Sequence, residues 1–354
     1  MTAISARLAR NRRFAPLGAT ILLFCVAYAY GALAYDAMRD PQVFLNLFRA
    51  SPFLLISAIG MTFVILSGGI DLSVGGVIAL TTVASAALLR DGTDPWQVML
   101  LMLVMGTVIG AAMGFLITFL KVQPFIATLA GLWIARGLCF WISDDAIPID
   151  NRVYEVLGQT KILIPGLADP VTKQGEFISI LVVLEIVVVV VAIFIAHFTR
   201  FGRTVYAIGG SEPSARLMGL RVNRTKMLVY TLNGFCSALA GIALSIYVSS
   251  GHGLYAMGLE LTVIGAVVIG GTLLTGGVGY VIGTVFGVLI IGLIQTLIQF
   301  NGTISSWWTP IVVAGLTLTF ILVQSALAVQ KRRQSAGQRS LARAKAGDPQ
   351  EGIA

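Results

Sequence analysis

Charge is scarce in this sequence. Only 11% of its residues are Asp, Glu, Lys or Arg, against roughly 25% in a typical soluble domain. That scarcity, beside 57% hydrophobic residues, excludes an ordinary water-soluble globule. Cysteine is rare too: Cys25, Cys139 and Cys236 all fall inside apolar stretches without ligand-like spacing, which argues against a disulfide framework and a cysteine metal site. Histidine occurs only as His197 and His252, both near predicted helix ends or loops. An intramembrane hydrolase, which needs a nucleophile and a base within reach, is therefore disfavoured. The pattern Gly-x-x-x-x-Gly-Lys-Ser/Thr is missing as well, so the chain does not hydrolyse ATP with the usual phosphate-binding loop.

What the sequence does contain is long apolar runs. Val98 to Leu120 carries no charge at all, and crossing a hydrocarbon core of about 30 Å takes roughly 20 helical residues. Ten runs are legible, at 16–35, 50–67, 73–89, 97–120, 124–142, 177–197, 227–250, 259–273, 281–300 and 307–329. The expected fold is an all-α membrane protein of about ten transmembrane helices.

The net charge of +8 does not indicate a nucleic-acid partner, because the basic residues gather at helix ends and not in a water-facing patch. Their distribution sets the orientation, since Lys and Arg accumulate on the cytoplasmic side. Arg7, Arg10, Arg12 and Arg13 place the 1–13 tail inside. Ten crossings then put the 198–226 loop inside as well, with Arg200, Arg203, Arg216, Arg221, Arg224 and Lys226. The 330–354 tail, with Lys331, Arg332, Arg333, Arg339, Arg343 and Lys345, lands on the same side. Residues 14–329 form the transmembrane domain, and the acidic 143–176 segment, with Asp144, Asp145, Asp150, Glu155, Asp169 and Glu176, falls outside. The first run is expected to be a retained helix and not a cleaved signal peptide, because it exceeds the usual apolar region of about 7–15 residues.

Two glycine-rich inserts interrupt short runs. One is Ser67-Gly68-Gly69-Ile70-Asp71-Leu72-Ser73-Val74-Gly75, and the other is Gly270-Gly271-Thr272-Leu273-Leu274-Thr275-Gly276-Gly277-Val278-Gly279. Aligning Gly68-Gly69 with Gly270-Gly271 pairs Ser73 with Thr275 and hints at an internal repeat. Non-helical backbone survives in a membrane only where protein or a water-filled cavity satisfies it, so paired interruptions point to a transport site. Tight turns at the cytoplasmic surface are the plainer alternative. Asp71 tilts the balance, because a carboxylate beside an apolar stretch is costly unless paired or wet. Ser67, Asp71, Ser73, Thr272 and Thr275 are therefore candidate groups of a substrate path. Glu185, deep in the sixth run, joins them as an intramembrane carboxyl. Arg136 is expected to snorkel to the outer surface.

Within the basic loop, Ser211 can cap a helix, Glu212 and Pro213 suit its first turn, and Gly219 can close it. The expectation is a two-turn cytoplasmic helix between two spans, able to press into a partner or merely to order the loop.

Three segments now carry a resemblance: Ile65 to Gly75, Tyr206-Ala207-Ile208-Gly209-Gly210, and Val267-Val268-Ile269-Gly270-Gly271. Together they resemble the ribose-type permeases of sugar ABC importers over nearly the whole membrane region. Within that family, Ser143-Asp144-Asp145-Ala146-Ile147-Pro148-Ile149 and Asn301-Gly302-Thr303-Ile304-Ser305-Ser306-Trp307-Trp308-Thr309 look most like one permease of the galactofuranose importer. The resemblance implies a non-catalytic inner-membrane permease that moves a monosaccharide. It also implies a separate cytoplasmic ATPase that uses ATP and Mg, a periplasmic sugar-binding protein, and a second permease copy or homologous permease; this chain itself would bind no cofactor and no metal. It further implies that the loop helix couples to the ATPase, with Gly209, Gly210, Glu212, Ala215 and Gly219 fitting that segment while Pro213 and Ser214 replace the family's alanines. An ion-coupled secondary sugar transporter, using Asp71 and Glu185, is the alternative.

Overall fold

The computed structural model of the chain describes residues 3–168, 175–303, 305 and 307–324, the side chains of 3–15, 164–168 and 175–176 excepted. The 330–354 tail, Asp169, Ile304 and Ser306 lie outside the described residues.

The apolar runs fold as helices: α1 (Ala3–Ala34), α2 (Pro41–Arg49), α3 (Pro52–Leu66), α4 (Val74–Arg90), α5 (Pro95–Thr118) and α6 (Pro124–Ile142), followed by the short α7 (Arg152–Gln159). Then come α8 (Ile180–Phe198), α9 (Arg200–Gly210), α10 (Glu212–Leu217), α11 (Val222–Val248), α12 (Leu259–Ile269) and α13 (Val281–Asn301), and α14 (Trp308–Gln324). Their starts are written in the sequence. Asp94 accepts hydrogen bonds from Trp96 N (3.0 Å) and Gln97 N (3.2 Å), ahead of Pro95 in the first turn of α5. Ser179, Thr199 and Ser211 cap α8, α9 and α10 in the same way, each giving an orphan backbone N–H an acceptor.

The expectation of about ten spans is met only in part. Among the described residues six helices are long and apolar enough to cross a membrane, and a seventh span arises if α2 and α3, bent by 59° at their junction, are taken as one. The other runs form the shorter α4, α12 and α14. At 1.5 Å per residue α12 extends only about 16 Å; it cannot cross a hydrocarbon core of about 30 Å by itself. An all-helical fold also needs amending, because two small antiparallel strand pairs occur among the described residues. Ile147–Pro148 pairs with Ser250–Gly251, and Lys161–Ala168 pairs with Gly175–Ser179.

The long α11 is the central post, with α3, α4 and α5 packed around it. Gly106, Gly110 and Gly114 line one face of α5 at four-residue intervals, where a Cβ would run into α11 at Gly234, Tyr230 and Met227. Small residues at this spacing let two backbones approach closely, the usual means of helix association where lipid offers no hydrophobic drive. One end of α11 adjoins α10, and the other leads into the strand pair with Ile147–Pro148. The basic loop and the 143–158 segment thus lie at opposite ends of a helix about 40 Å long.

Candidate functional site

Helices α3, α10 and α12 end in the same way. Gly68, Gly219 and Gly271 have φ of 79°, 73° and 86°, the left-handed conformation that glycine adopts at no steric cost. In each case the glycine N–H and the next residue's N–H fold back onto the last turn: Gly68 and Gly69 onto Ile65 and Val64, Gly219 and Leu220 onto Arg216 and Ala215, Gly271 and Thr272 onto Val268 and Val267. This pair of bonds is the Schellman cap. Its position shifts the internal repeat by one residue, so Gly68 corresponds to Gly271 and not to Gly270.

Beyond these caps the two inserts meet. Gly277 N donates to Leu66 O at 2.9 Å, and a Cβ on Gly276 would lie 2.8 Å from Gly68 N and 3.0 Å from Gly209 Cα. A Cβ on Gly209 would in turn overlap the Leu66 carbonyl and Gly277 N. Three backbones from distant parts of the sequence are therefore in direct contact, which only glycine permits. Tyr206 on α9 adds a bond from its hydroxyl to Gly279 O at 2.8 Å, and His197 stacks on Tyr280 at 5.9 Å. The end of α9 is thus joined to both inserts.

The candidate path residues divide into groups. Asp71 is 1% exposed. Its Oδ1 accepts from Ser73 N (2.9 Å) and Ser73 Oγ (2.6 Å), and its Oδ2 accepts from Asn233 Nδ2 (2.8 Å). Tyr230 bonds to Ile70 O at 3.4 Å, so α11 holds the insert in place at two points. Ser67 bonds back to Val64 O at 2.8 Å. Thr272 is buried with an unpartnered hydroxyl among the described residues, whereas Thr275 is exposed. Glu185 is buried on α8 with neither carboxyl oxygen hydrogen-bonded among the described residues, and it shares no bond with the inserts.

Arg136 does not snorkel. It is 6% exposed, and its guanidinium donates inward to Gly253 O and, at 2.6 Å, to Tyr255 O. Those carbonyls belong to the stretch between α11 and α12, where Ala256 holds φ 55° and Gly258 φ 76°. Left-handed backbone at alanine is disfavoured by contact between its Cβ and the carbonyl. The fixed guanidinium offsets that cost by satisfying carbonyls that would otherwise be orphaned. Across from it, Gly75 in the first turn of α4 lies so near Glu260 Oε2 and Ala256 O that a Cβ there would overlap both. The starts of α4 and α12 therefore abut. Asn233, Arg136 and Glu260 are contributors that sequence reasoning missed or misread, although each is a polar residue in or beside an apolar run, the signal that singled out Glu185.

The loop helix α10 spans Glu212–Leu217, between the Ser211 cap and Gly219. Ala215 is fully buried and packs with Ile208 and Val222. Glu212 bridges Lys226 at 2.5 Å and Arg216 at 2.8 Å. Its hydrogen bond from Lys226 holds the carboxyl below the usual carboxylate range, against partial burial and with help from Arg216. These two residues seat the helix on its own base. What it presents outward is Leu217, 89% exposed, and Met218, 66% exposed. Gly209 and Gly210 also part company, for nothing lies within 4 Å of a Cβ on Gly210.

Comparison with known proteins places this geometry in context. The family model described as "Branched-chain amino acid transport system / permease component" matches residues 43–322. The Inner membrane ABC transporter permease protein YjfF of Escherichia coli (strain K12) is 47% identical over 92% of this chain and 96% of its own length. The Fructose import permease protein FruG of Bifidobacterium longum (strain NCC 2705) is 37% identical over 90% and 92%. The Ribose import permease protein RbsC of Bacillus subtilis (strain 168) is 38% identical over 85% and 88%. No solved structure matches the chain.

Proposed function

The chain belongs to the family of branched-chain amino acid transport system / permease components, and on that premise we propose that it conducts a monosaccharide from periplasm to cytoplasm as the permease of an ATP-binding-cassette importer. It is a multi-pass inner-membrane protein and a non-catalytic subunit. Relatives named for ribose and fructose import support a sugar as cargo. Galactofuranose is our assignment for the individual sugar, on the likeness of the 143–149 and 301–309 segments.

The observation that carries the mechanism is the junction of Gly209 with both inserts. An engine outside the membrane moves helices only through contacts whose energies differ between its states. In our reading a cytoplasmic ATPase, using ATP and Mg, docks on Leu217 at the end of α10 and on Met218 just beyond it. The push passes along α9 through Gly209 and Gly210 to the Gly68 and Gly276 turns. Glu212, Ala215 and Gly219 act by holding α10 in its seat. Ser67, Asp71, Ser73, Glu185, Thr272 and Thr275 are the proposed polar groups of the path. Thr272 and Glu185 have oxygens free to accept, among the described residues, while Asp71 and Ser73 shape the turn.

The remaining assembly follows the same reading. In our reading residues 14–329 form the transmembrane domain of about ten membrane helices, with α12 completing its passage only together with the glycine insert that follows it, and the 1–13 and 330–354 tails and the 198–226 coupling loop are cytoplasmic. It meets a periplasmic sugar-binding protein and a second permease copy or homologue, within membrane lipid and with no nucleic acid. The ion-coupled alternative is not favoured, because the named relatives are ABC transporter or import permeases. Deleting the gene should abolish uptake of labelled galactofuranose, and complementation should restore it. Unchanged uptake in the deletion strain rejects the assigned sugar.

A further inference from the structure

Helix α13 starts beside the glycine junction and ends, about 30 Å away, at the opposite face of the protein from the basic loop. There, between its last turns and the start of α14, lies an open cleft of about 480 Å³ lined by Gln295, Ile298, Gln299, Trp307, Thr309 and Pro310. The volume falls in the range of small-molecule sites, roughly 300–1,000 Å³. Gln295 and Gln299 are four residues apart and so share one face of α13. Each amide offers two donors and an acceptor. Trp307 is 81% exposed and presents a broad apolar ring beside them.

A tryptophan at a membrane surface is ordinary by itself. Two amides on the same helix face are not, because polar side chains in a span turn toward protein or a wet cavity. None of the six lining residues is ionisable. A zwitterionic amino acid would leave its ammonium and carboxylate without counter-charges here. A neutral ring with an apolar face and many hydroxyls finds both a flat surface and amide partners.

We propose that this cleft is an entry subsite for a neutral, polyhydroxylated ligand on the outer face of the permease, upstream of the glycine inserts. The assignment rests on the transport reading above and adds a location that the inserts do not supply.

The test uses the full chain in cells, as Gln299→Cys in a Cys25→Ser background, since Cys139 and Cys236 are buried. The rate of modification by a membrane-impermeant maleimide is measured with and without D-galactose, D-ribose, D-fructose or L-leucine, alongside uptake of the same compounds. At least one sugar should slow modification by about threefold, as two-thirds occupancy requires, and L-leucine should not. The slowing should vanish with Trp307→Ala and persist with Trp307→Phe. Thr309→Cys provides a second reporter should Gln299→Cys fail to accumulate. Equal rates with every sugar at both reporters, in cells that still import a sugar through this chain, overturn the subsite and leave the transport reading standing. Protection by L-leucine alone overturns the neutral-ligand assignment. Sugar protection in the reporter variants while the unsubstituted chain imports no sugar supports the subsite and rejects the transport reading.

Discussion

Replacing Asp71 with alanine should destabilise the permease far more than replacing it with asparagine. The carboxyl accepts three hydrogen bonds, from Ser73 N, Ser73 Oγ and Asn233 Nδ2, in a site that excludes water. Alanine leaves all three donors abandoned. The Ser73 hydroxyl can rotate to another acceptor, but the Ser73 N–H and the Asn233 amide are fixed, and each buried donor left unpaired costs about 1–3 kcal/mol. The expected loss is therefore about 2–6 kcal/mol. Asparagine keeps one acceptor for Ser73 and turns an NH₂ toward Asn233. Asn233 Oδ1 has no partner among the described residues, so a flip of the Asn233 amide supplies an acceptor and limits the loss to about 0.5–1.5 kcal/mol. Thermal unfolding of the detergent-solubilised protein, followed by fluorescence-detected size exclusion, should rank wild type, Asp71→Asn and Asp71→Ala in that order. Asp71→Ala combined with Asn233→Ala should cost less than the sum of the two, with a coupling of about 0.5–3 kcal/mol. Equal melting of the alanine and asparagine variants, or strict additivity of the double variant, would refute this bonding scheme. Uptake by a well-folded Asp71→Asn protein then reports separately on any role in the path.

Gly209→Val should prevent accumulation of folded protein in membranes, because its Cβ meets fixed backbone at Leu66 and Gly277, while Gly210→Ala should accumulate normally. Leu217→Asp with Met218→Asp should abolish pull-down of the ATPase without lowering permease abundance; normal pull-down would remove α10 from the coupling role. The Glu212 carboxyl titrates lower in the folded protein than in the unfolded chain, so its contribution is present above the ordinary value near 4.3 and fades as pH falls through the depressed one. Accessibility of Ala215→Cys, read as its labelling rate relative to an exposed reference cysteine at the same pH because the thiolate is the reacting form, should accordingly be flat from about pH 8 to 5 and rise only in more acidic buffer, whereas adding Glu212→Gln should raise it modestly across the flat range, as a partly exposed ion pair is worth about 0–1 kcal/mol.

Which parts of this arrangement the sequence announces depends on whether their cause is local. Apolar runs and caps such as Asp94-Pro95 or Ser211 are local, and they marked helix positions closely. The Ser211 to Gly219 helix was legible down to its closing glycine for the same reason. Whether a short run such as α12 crosses alone is settled by its partners, and the contacts before and at its start, Arg136 with Gly253 and Tyr255 and Gly75 with Glu260, join residues far apart in sequence. The contacts of Glu212 with Lys226 and of Ala215 with Val222 were hidden likewise, since only the fold brings those residues together. A glycine pair signals backbone freedom but not its use. Gly209 and Gly210 look alike in sequence, yet only one touches both inserts.

Transport energised by ATP is the central claim, and proteoliposomes containing this permease, its ATPase and the sugar-binding protein test it most directly. Uptake of radiolabelled monosaccharide should require ATP and Mg inside the compartment that holds the ATPase, and it should be unaffected by ionophores that collapse proton and sodium gradients. Uptake that persists without the ATPase and follows an imposed ion gradient would contradict the account.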